Sequence, residues 1–138
     1  MHPYQKLNWY PHLGSQEQIL WDRFIHAFPD LYDKCEYDVK VGSGPEFDTI
    51  VSPDTMGDVK ALYQKKLDVV AYKGGEVDII EIKPYAGTNA VSQLLQYQFL
   101  LMKDRKLEKP PKLVIVTDRV KADLHDFAVL HGVTVVVV

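Results

Sequence analysis

The stretch LDVVAYKGGEVDIIEIKP, residues 67–84, holds two runs of apolar and β-branched residues on either side of Gly74-Gly75. Such runs around a glycine pair read as a β-hairpin, because glycine takes the positive φ of a two-residue turn without steric cost. With the glycines as the central turn residues, Asp68 faces Glu81 directly across the hairpin. Directly opposed side chains share a face with β-carbons about 5 Å apart, where two like charges are destabilising. Lys83 lies two residues beyond Glu81, and the strand period of two puts it on the same face.

A sheet interior does not hold two unpaired carboxylates cheaply, since each must neutralise or find a cation. A divalent metal is one solution. Oxygen ligands select hard cations, so Mg²⁺ or Mn²⁺ is expected over Zn²⁺, held by one or two carboxylates together with water and substrate phosphate. The other solution is a structural cluster in which Lys83 forms a salt bridge to Asp68 or Glu81 at an exposed sheet end. Strand geometry alone leaves both open.

Upstream of the hairpin, Gly14-Ser15 with Gln18 reads as a helix start with a capping box, followed by Leu20, Trp21, Phe24, Ile25 and Phe28 at helical spacing and stopped by Pro29. A strand is expected around residues 36–41. A long Gly, Pro and Asp-rich loop is expected over about 42–57, with a short strand at residues 47–51; loops of that length are often functional. Downstream, Val91, Leu94, Leu95, Leu101 and Met102 form a helical stripe capped by Thr88 or Asn89. KLVIVTD reads as a strand covered on both faces, Asp118 as the cap of a helix running to about Leu130, and VTVVVV as a last strand. The order α-β-β-β-α-β-α-β predicts an α/β domain with a mixed central sheet flanked by helices.

At 138 residues the chain is the size of one domain, and it shows no internal repeat, low-complexity segment or linker. No apolar run reaches the roughly 18 residues of a membrane span, and the N-terminus lacks a secretion-signal layout, so no membrane partner is expected and a cytoplasmic location follows by default. Cys35, the single cysteine, has no disulfide partner and no thiolate metal mate, which fits a reducing compartment and a packing role. The five histidines show no metal-ligand spacing and read as surface or packing residues. Trp9 and Tyr10 are open between packing and stacking on a partner. A net charge of −3 does not advertise a polyanion partner, so such contact must come from local basic patches. The richest is MKDRKLEKPPK, where Lys103, Arg105, Lys106, Lys109 and Lys112 outnumber Asp104 and Glu108; taken alone it reads at least as well as a solvated helix end and loop.

Asp68 followed by Glu81-Ile82-Lys83 resembles the PD-(D/E)xK nuclease superfamily, which includes restriction endonucleases, Holliday junction resolvases, RecB-type nuclease domains and phage nucleases. The element order is similar to the restriction-endonuclease-like core of that superfamily. Many members carry a glutamate on the first helix, matched by Glu17, and the RecB and resolvase branches carry Q-x-x-x-Y after the lysine, matched by Gln93 and Tyr97, with Gln96 alongside. The resemblance covers about residues 15–117, leaving a C-terminal helix and strand over 118–138. Leu67 stands where the family pattern has proline, a common degeneracy. The literal Pro53-Asp54 falls in the loop, too far before Glu81 to be the strand aspartate.

The resemblance implies a metal-dependent endonuclease acting on DNA, on branched or processed DNA in particular. It implies Mg²⁺ or Mn²⁺ held by Asp68, Glu81 and the main-chain carbonyl of Ile82, with Glu17 at a second metal or at the water shell. Lys83 would orient or help deprotonate the attacking water, and Gln93 and Tyr97 would position the lysine, the water or the phosphate. Two other functions stay open. One is a non-catalytic nucleic-acid-binding or assembly protein that keeps the nuclease fold. The other is a nuclease subunit that borrows DNA-binding surface from a homodimer mate or a larger complex, which would reconcile an acidic chain with a polyanionic substrate.

Overall fold

The hairpin forms around a turn in which Gly74 takes φ +58°. Its strands, β3 (Lys65–Lys73) and β4 (Glu76–Ile82), pair antiparallel in the expected register, with Lys73 opposite Glu76 and the ladder running to Val69 opposite Ile80. The computed structural model describes residues 1–42 and 65–138. The expected strand at 47–51, most of the 42–57 loop and the Pro53-Asp54 pair lie outside the described residues.

The six described strands form one sheet in chain order, β1-β2-β3-β4-β5-β6. β1 (His2–Pro3) and β2 (Lys34–Val41) continue the antiparallel half beyond β3. β5 (Lys112–Thr117) and β6 (Val133–Val137) add in parallel beyond β4. α1 is Ser15–Ala27, α2 is Thr88–Arg105 and crosses from β4 to β5, and α3 is Leu124–Leu130 and crosses from β5 to β6. Parallel neighbours require such crossovers, and a strand covered on both faces loses hydrophobic alternation. LVIV in β5 is buried at every position.

Each face of the sheet carries its own core. Leu20, Trp21, Phe24 and Ile25 of α1 pack on Tyr37, Val69, Ile80 and Val116. Val91, Leu94 and Leu101 of α2, with Leu124 of α3, pack on Val39, Val70, Ile79 and Ile115. The two strands β2 and β3 change faces together. Cys35 and Tyr37 lie on the α1 side, but Val39 and Val41 lie on the α2 side; Val69 and Ala71 lie on the α1 side, but Leu67 lies on the α2 side. Pairing keeps one register through this reversal, with Tyr37 opposite Val69 and Val39 opposite Leu67. Strict alternation would forbid such a change. It is absorbed at Asp38, which takes φ +52°, and at Asp68 across from it.

Several local readings need correction. α1 opens one residue earlier than expected, with extended Gly14 as its N-cap. Glu17 therefore occupies the third helical position that a capping box assigns to glutamate, and Gln18 Nε2 donates to the Leu13 carbonyl instead. α2 likewise opens after Gly87, so Thr88 is already helical. Asp118 caps no helix: it accepts the Tyr85 N–H at 2.8 Å, and α3 begins only after Asp123. Pro29 ends α1 as expected, the helix stopping at Ala27. β1 carries too short a run for periodicity to detect.

Candidate active site

One step past the last ladder pair of the hairpin, the same register brings Asp68 to Glu81. Asp68 Oδ2 accepts the main-chain N–H of Ile82 at 2.9 Å. The two carboxyls are hydrogen-bonded to each other, an arrangement that favours the proton on Glu81, donating to Asp68. Burial pushes both above the ordinary carboxylate range, and Glu81, 9% exposed, is pushed further because the Asp68 charge adds to desolvation. Among the described residues every fully buried side-chain nitrogen and oxygen has a partner.

Lys83 leaves the sheet edge immediately after β4, where its N–H donates to the Val116 carbonyl at 2.9 Å. Its positive charge opposes the upward shifts of both acids. It forms no ion pair with either, since the ion pairs among the described residues are His12–Asp38, Lys73–Asp33, Arg105–Glu36, Lys109–Glu76 and Arg119–Asp118. Tyr97, buried on α2, has its hydroxyl pushed up to about 12 by burial and by the negative charges of Glu81 and Asp68. Gln93, one turn earlier, lines the same cavity as Lys83. Gln96 lies elsewhere, in an apolar groove with Leu95, Phe99 and Leu100.

Glu17 reaches the pair from the opposite layer: its charge raises both Asp68 and Glu81, after larger causes in each case. Its carboxylate folds back over Gly14, where an added Cβ would sit 2.6 Å from Oε2. The sheet thus collects Asp68 and Glu81 from its own strands, Glu17 from α1, and Gln93 and Tyr97 from α2.

The site sits at the carboxyl ends of the parallel strands, where the order of ladder partners ends at Ile82 and Val116. Ligands of open α/β sheets bind at that end. The basic segment singled out in the sequence lies at the other end, beside the hairpin turn. There Arg105 makes two bonds to the Glu36 carboxylate, at 2.7 and 3.0 Å, and Lys109 reaches Glu76 at 2.7 Å. Cations at the site's own end include Lys83, Arg119 and Lys121. Arg119 and Lys121 both lie over the Tyr85 ring, at 4.5 and 5.1 Å from its centroid. Two cations directly after a covered parallel strand, in TDRVK, are the sequence signal that points to them.

The loops after β4 and β5 are clamped together. The Ala86 N–H donates to the Arg119 carbonyl and to Thr117 Oγ1, the Lys121 N–H donates to the Ala86 carbonyl, and Asp118 holds Tyr85. Tyr85 is thereby kept at φ +47°, a left-handed conformation that tyrosine rarely adopts.

The donor set fits a hard cation. Asp68 and Glu81 offer oxygens, and desolvation makes their negative charge costly once both ionise, beyond what Lys83 and the Ile82 N–H offset. Among the described residues no group of three or more His, Cys, Asp or Glu side chains is placed to hold a metal. Glu17 is therefore near the pair without closing it into a three-carboxylate cluster. Two carboxylates with the remaining positions left to water, main chain and substrate match the manner in which Mg²⁺ is usually held. The histidines take other roles, His12 pairing with Asp38 at 3.1 Å and His131 packing on Phe127. Cys35 is buried, its thiol pushed up to about 12 by desolvation, and Tyr10 is buried while Trp9 is exposed.

No protein-family profile matches the chain, and no curated protein matches it. Solved structures do share its fold. A protein of unknown function, AF1548, superposes with a TM-score of 0.55 at 15% identity over 82% of this chain and 53% of its own. A repair endonuclease from Pyrococcus abyssi gives 0.53 at 14% identity over 94% and 49%. EndoMS in complex with double-stranded DNA gives 0.50 at 14% over 94% and 47%. The chain spans about half the length of the structures it matches. At these identities the likeness establishes the mixed α/β fold.

Proposed function

We propose that this chain is a metal-dependent nuclease domain of the PD-(D/E)xK type, hydrolysing DNA phosphodiester bonds, with branched or processed DNA as its preferred substrate. The observation that carries this reading is the hydrogen-bonded carboxyl pair of buried Glu81 and half-buried Asp68, with the Lys83 ammonium beside it and in no ion pair among the described residues. Such a pair is an expensive feature for a fold to keep without a cation to bind. Further support comes from its place at the carboxyl ends of the parallel strands. Two of the structures that share the fold are described as a repair endonuclease and as a complex with double-stranded DNA.

Asp68, Glu81 and the Ile82 carbonyl would hold Mg²⁺ or Mn²⁺. When bound, the ion supplies Lewis-acid stabilisation of charge building on the phosphate oxygens. The proton shared by Glu81 and Asp68 must leave for both to act as ligands, so metal affinity rises with pH. Lys83 donates to the phosphate or orients the attacking water, and Gln93 from the same cavity adds a second donor. Tyr97, which stays protonated beside two acids, donates its hydroxyl proton toward them and holds their orientation. Glu17 acts at the water shell.

The test is incubation with plasmid, single-stranded and four-way-junction DNA in Mg²⁺, Mn²⁺ or EDTA, with Lys83→Ala as control. Cleavage that needs metal and is lost in the variant is the expected result. Full activity in Lys83→Ala would refute the assignment. The net charge of −3 favours one second reading, a non-catalytic binding module. Binding without cleavage, retained in EDTA, would establish it.

A further inference from the structure

Beside the acid pair lies a cavity of about 350 Å³, within the range of about 300–1,000 Å³ typical of small-molecule sites. Lys83, Tyr85, Thr88, Asn89, Gln93 and Lys121 line it. Its charged groups are both cations, and Thr88, Asn89 and Gln93 add neutral hydrogen-bond donors; among the described residues no carboxylate lines it. Lys83 therefore has two unlike neighbourhoods, the carboxyls on one side and a wall of donors on the other. That wall is complementary to an anion with several acceptor oxygens.

Lys121 is placed there by design of the backbone. Its side chain runs against Gly87, where an added Cβ would sit 3.0 Å from Lys121 Cδ, and its ammonium rests over the Tyr85 ring. The paired main chain of Ala86 and Lys121 fixes the base of that side chain. The loops are thus braced where the cation leaves them.

We propose that this cavity is a second phosphate subsite, with Lys121 as its principal cation, taking a phosphate of the substrate strand other than the one attacked. The inference rests on the nuclease reading for the identity of the strand. Lys83 spans the two positions, the attacked phosphate beside the acid pair and a neighbouring one in the cavity, so the strand is held in one register across the site. Lys121 is a binding and positioning residue and touches no reacting atom.

The experiment compares wild type, Lys121→Ala and Gly87→Ala, which keeps the charge but pushes the side chain aside. Cleavage kinetics are measured on oligonucleotides carrying a 5′-phosphate or a 5′-hydroxyl, with a salt titration of binding. Lys121→Ala is expected to raise KM about tenfold, to lower the slope of log affinity against log salt by about one, and to leave kcat nearly unchanged. Gly87→Ala should raise KM in the same direction with the slope less affected. Loss of a wild-type preference for the 5′-phosphate assigns a terminal phosphate, and equal loss on both substrates assigns an internal one. Unchanged KM and salt slope in Lys121→Ala would overturn the subsite while leaving the nuclease intact. Inorganic phosphate titrated into ¹⁵N-labelled protein separates the two readings further. If no substrate is cut but phosphate still shifts the Thr88 and Asn89 amides, and does so only when Lys121 is present, the nuclease reading falls and the phosphate site stands.

Discussion

The main-chain N–H of Ile82 donates to Asp68 Oδ2 at 2.9 Å, so this aspartate is tied to the backbone as well as hydrogen-bonded to Glu81. Asp68 thus closes the open end of the hairpin and forms half of the acid pair. The two roles separate by substitution. Asp68→Asn and Asp68→Ala both lose metal-dependent cleavage, but only alanine strands the Ile82 N–H. In EDTA the asparagine variant should be the more stable by about 1–3 kcal/mol, read by chemical denaturation. Equal stability would show that the hydrogen bond contributes nothing.

In metal-free protein the stability contributed by the protonated acid pair should fall as pH rises. The folded-state pKa values of Asp68 and Glu81 both lie above their unfolded values, so between the two the folded state holds more protons than the unfolded one. The contribution of this pair to stability in EDTA is therefore fully present below the ordinary carboxylate range and declines from there upward through neutral pH. Glu81→Gln should flatten that decline. Millimolar Mg²⁺ should raise the melting temperature, and more so at higher pH, because deprotonated ligands bind it better. No metal-induced shift at any pH would count against the metal site.

The α1 side of the sheet depends on a buried polar contact. Trp21, fully buried and stacked on Phe24, donates its indole N–H to the Tyr37 hydroxyl at 2.9 Å. Tyr37→Phe leaves that donor unsatisfied, at a cost of about 1–3 kcal/mol. Trp21→Ala should cost about 3–5 kcal/mol through the cavity it opens. Thermal unfolding checks both, and a Tyr37→Phe variant as stable as wild type would refute the first.

Glu17 can be moved without being replaced. A methyl at Gly14 must displace the Glu17 carboxylate, which is the free end of a flexible side chain, and Gly14 has φ −68°, open to any residue. Gly14→Ala should therefore fold normally, shift cleavage rate in the same direction as Glu17→Gln, and do so by less. A rate unchanged in both variants would remove Glu17 from the site.

Much of the hairpin was legible because two glycines set its register, and register alone decides that Asp68 meets Glu81. The crossover helices were legible from the change of hydrophobic period between β4 and β6. Helix starts were misread at Ser15 and Asp118 because side chains able to cap lie one residue or more from the residues whose backbones turn. The basic segment at 103–112 could be read equally as a contact patch or as a solvated helix end and loop, because charge density along the chain does not say which end of a sheet the charges reach. Arg119 and Lys121 are fewer, yet topology delivers them to the site. The face reversal at Asp38 and Asp68 leaves no trace in hydrophobic pattern, since both sides of the sheet are covered and apolar residues suit either.

That reversal has a mechanical meaning. A strand that alternates strictly speaks to one helical layer with odd residues and to the other with even ones, along its whole length. Where β2 and β3 roll over together, the odd-numbered residues pass from the α1 layer to the α2 layer within a single step. Asp68 stands on this seam, between Glu17 of one layer and Tyr97 of the other. Any ligand that draws its carboxylate toward Glu81 also ties the two layers to each other.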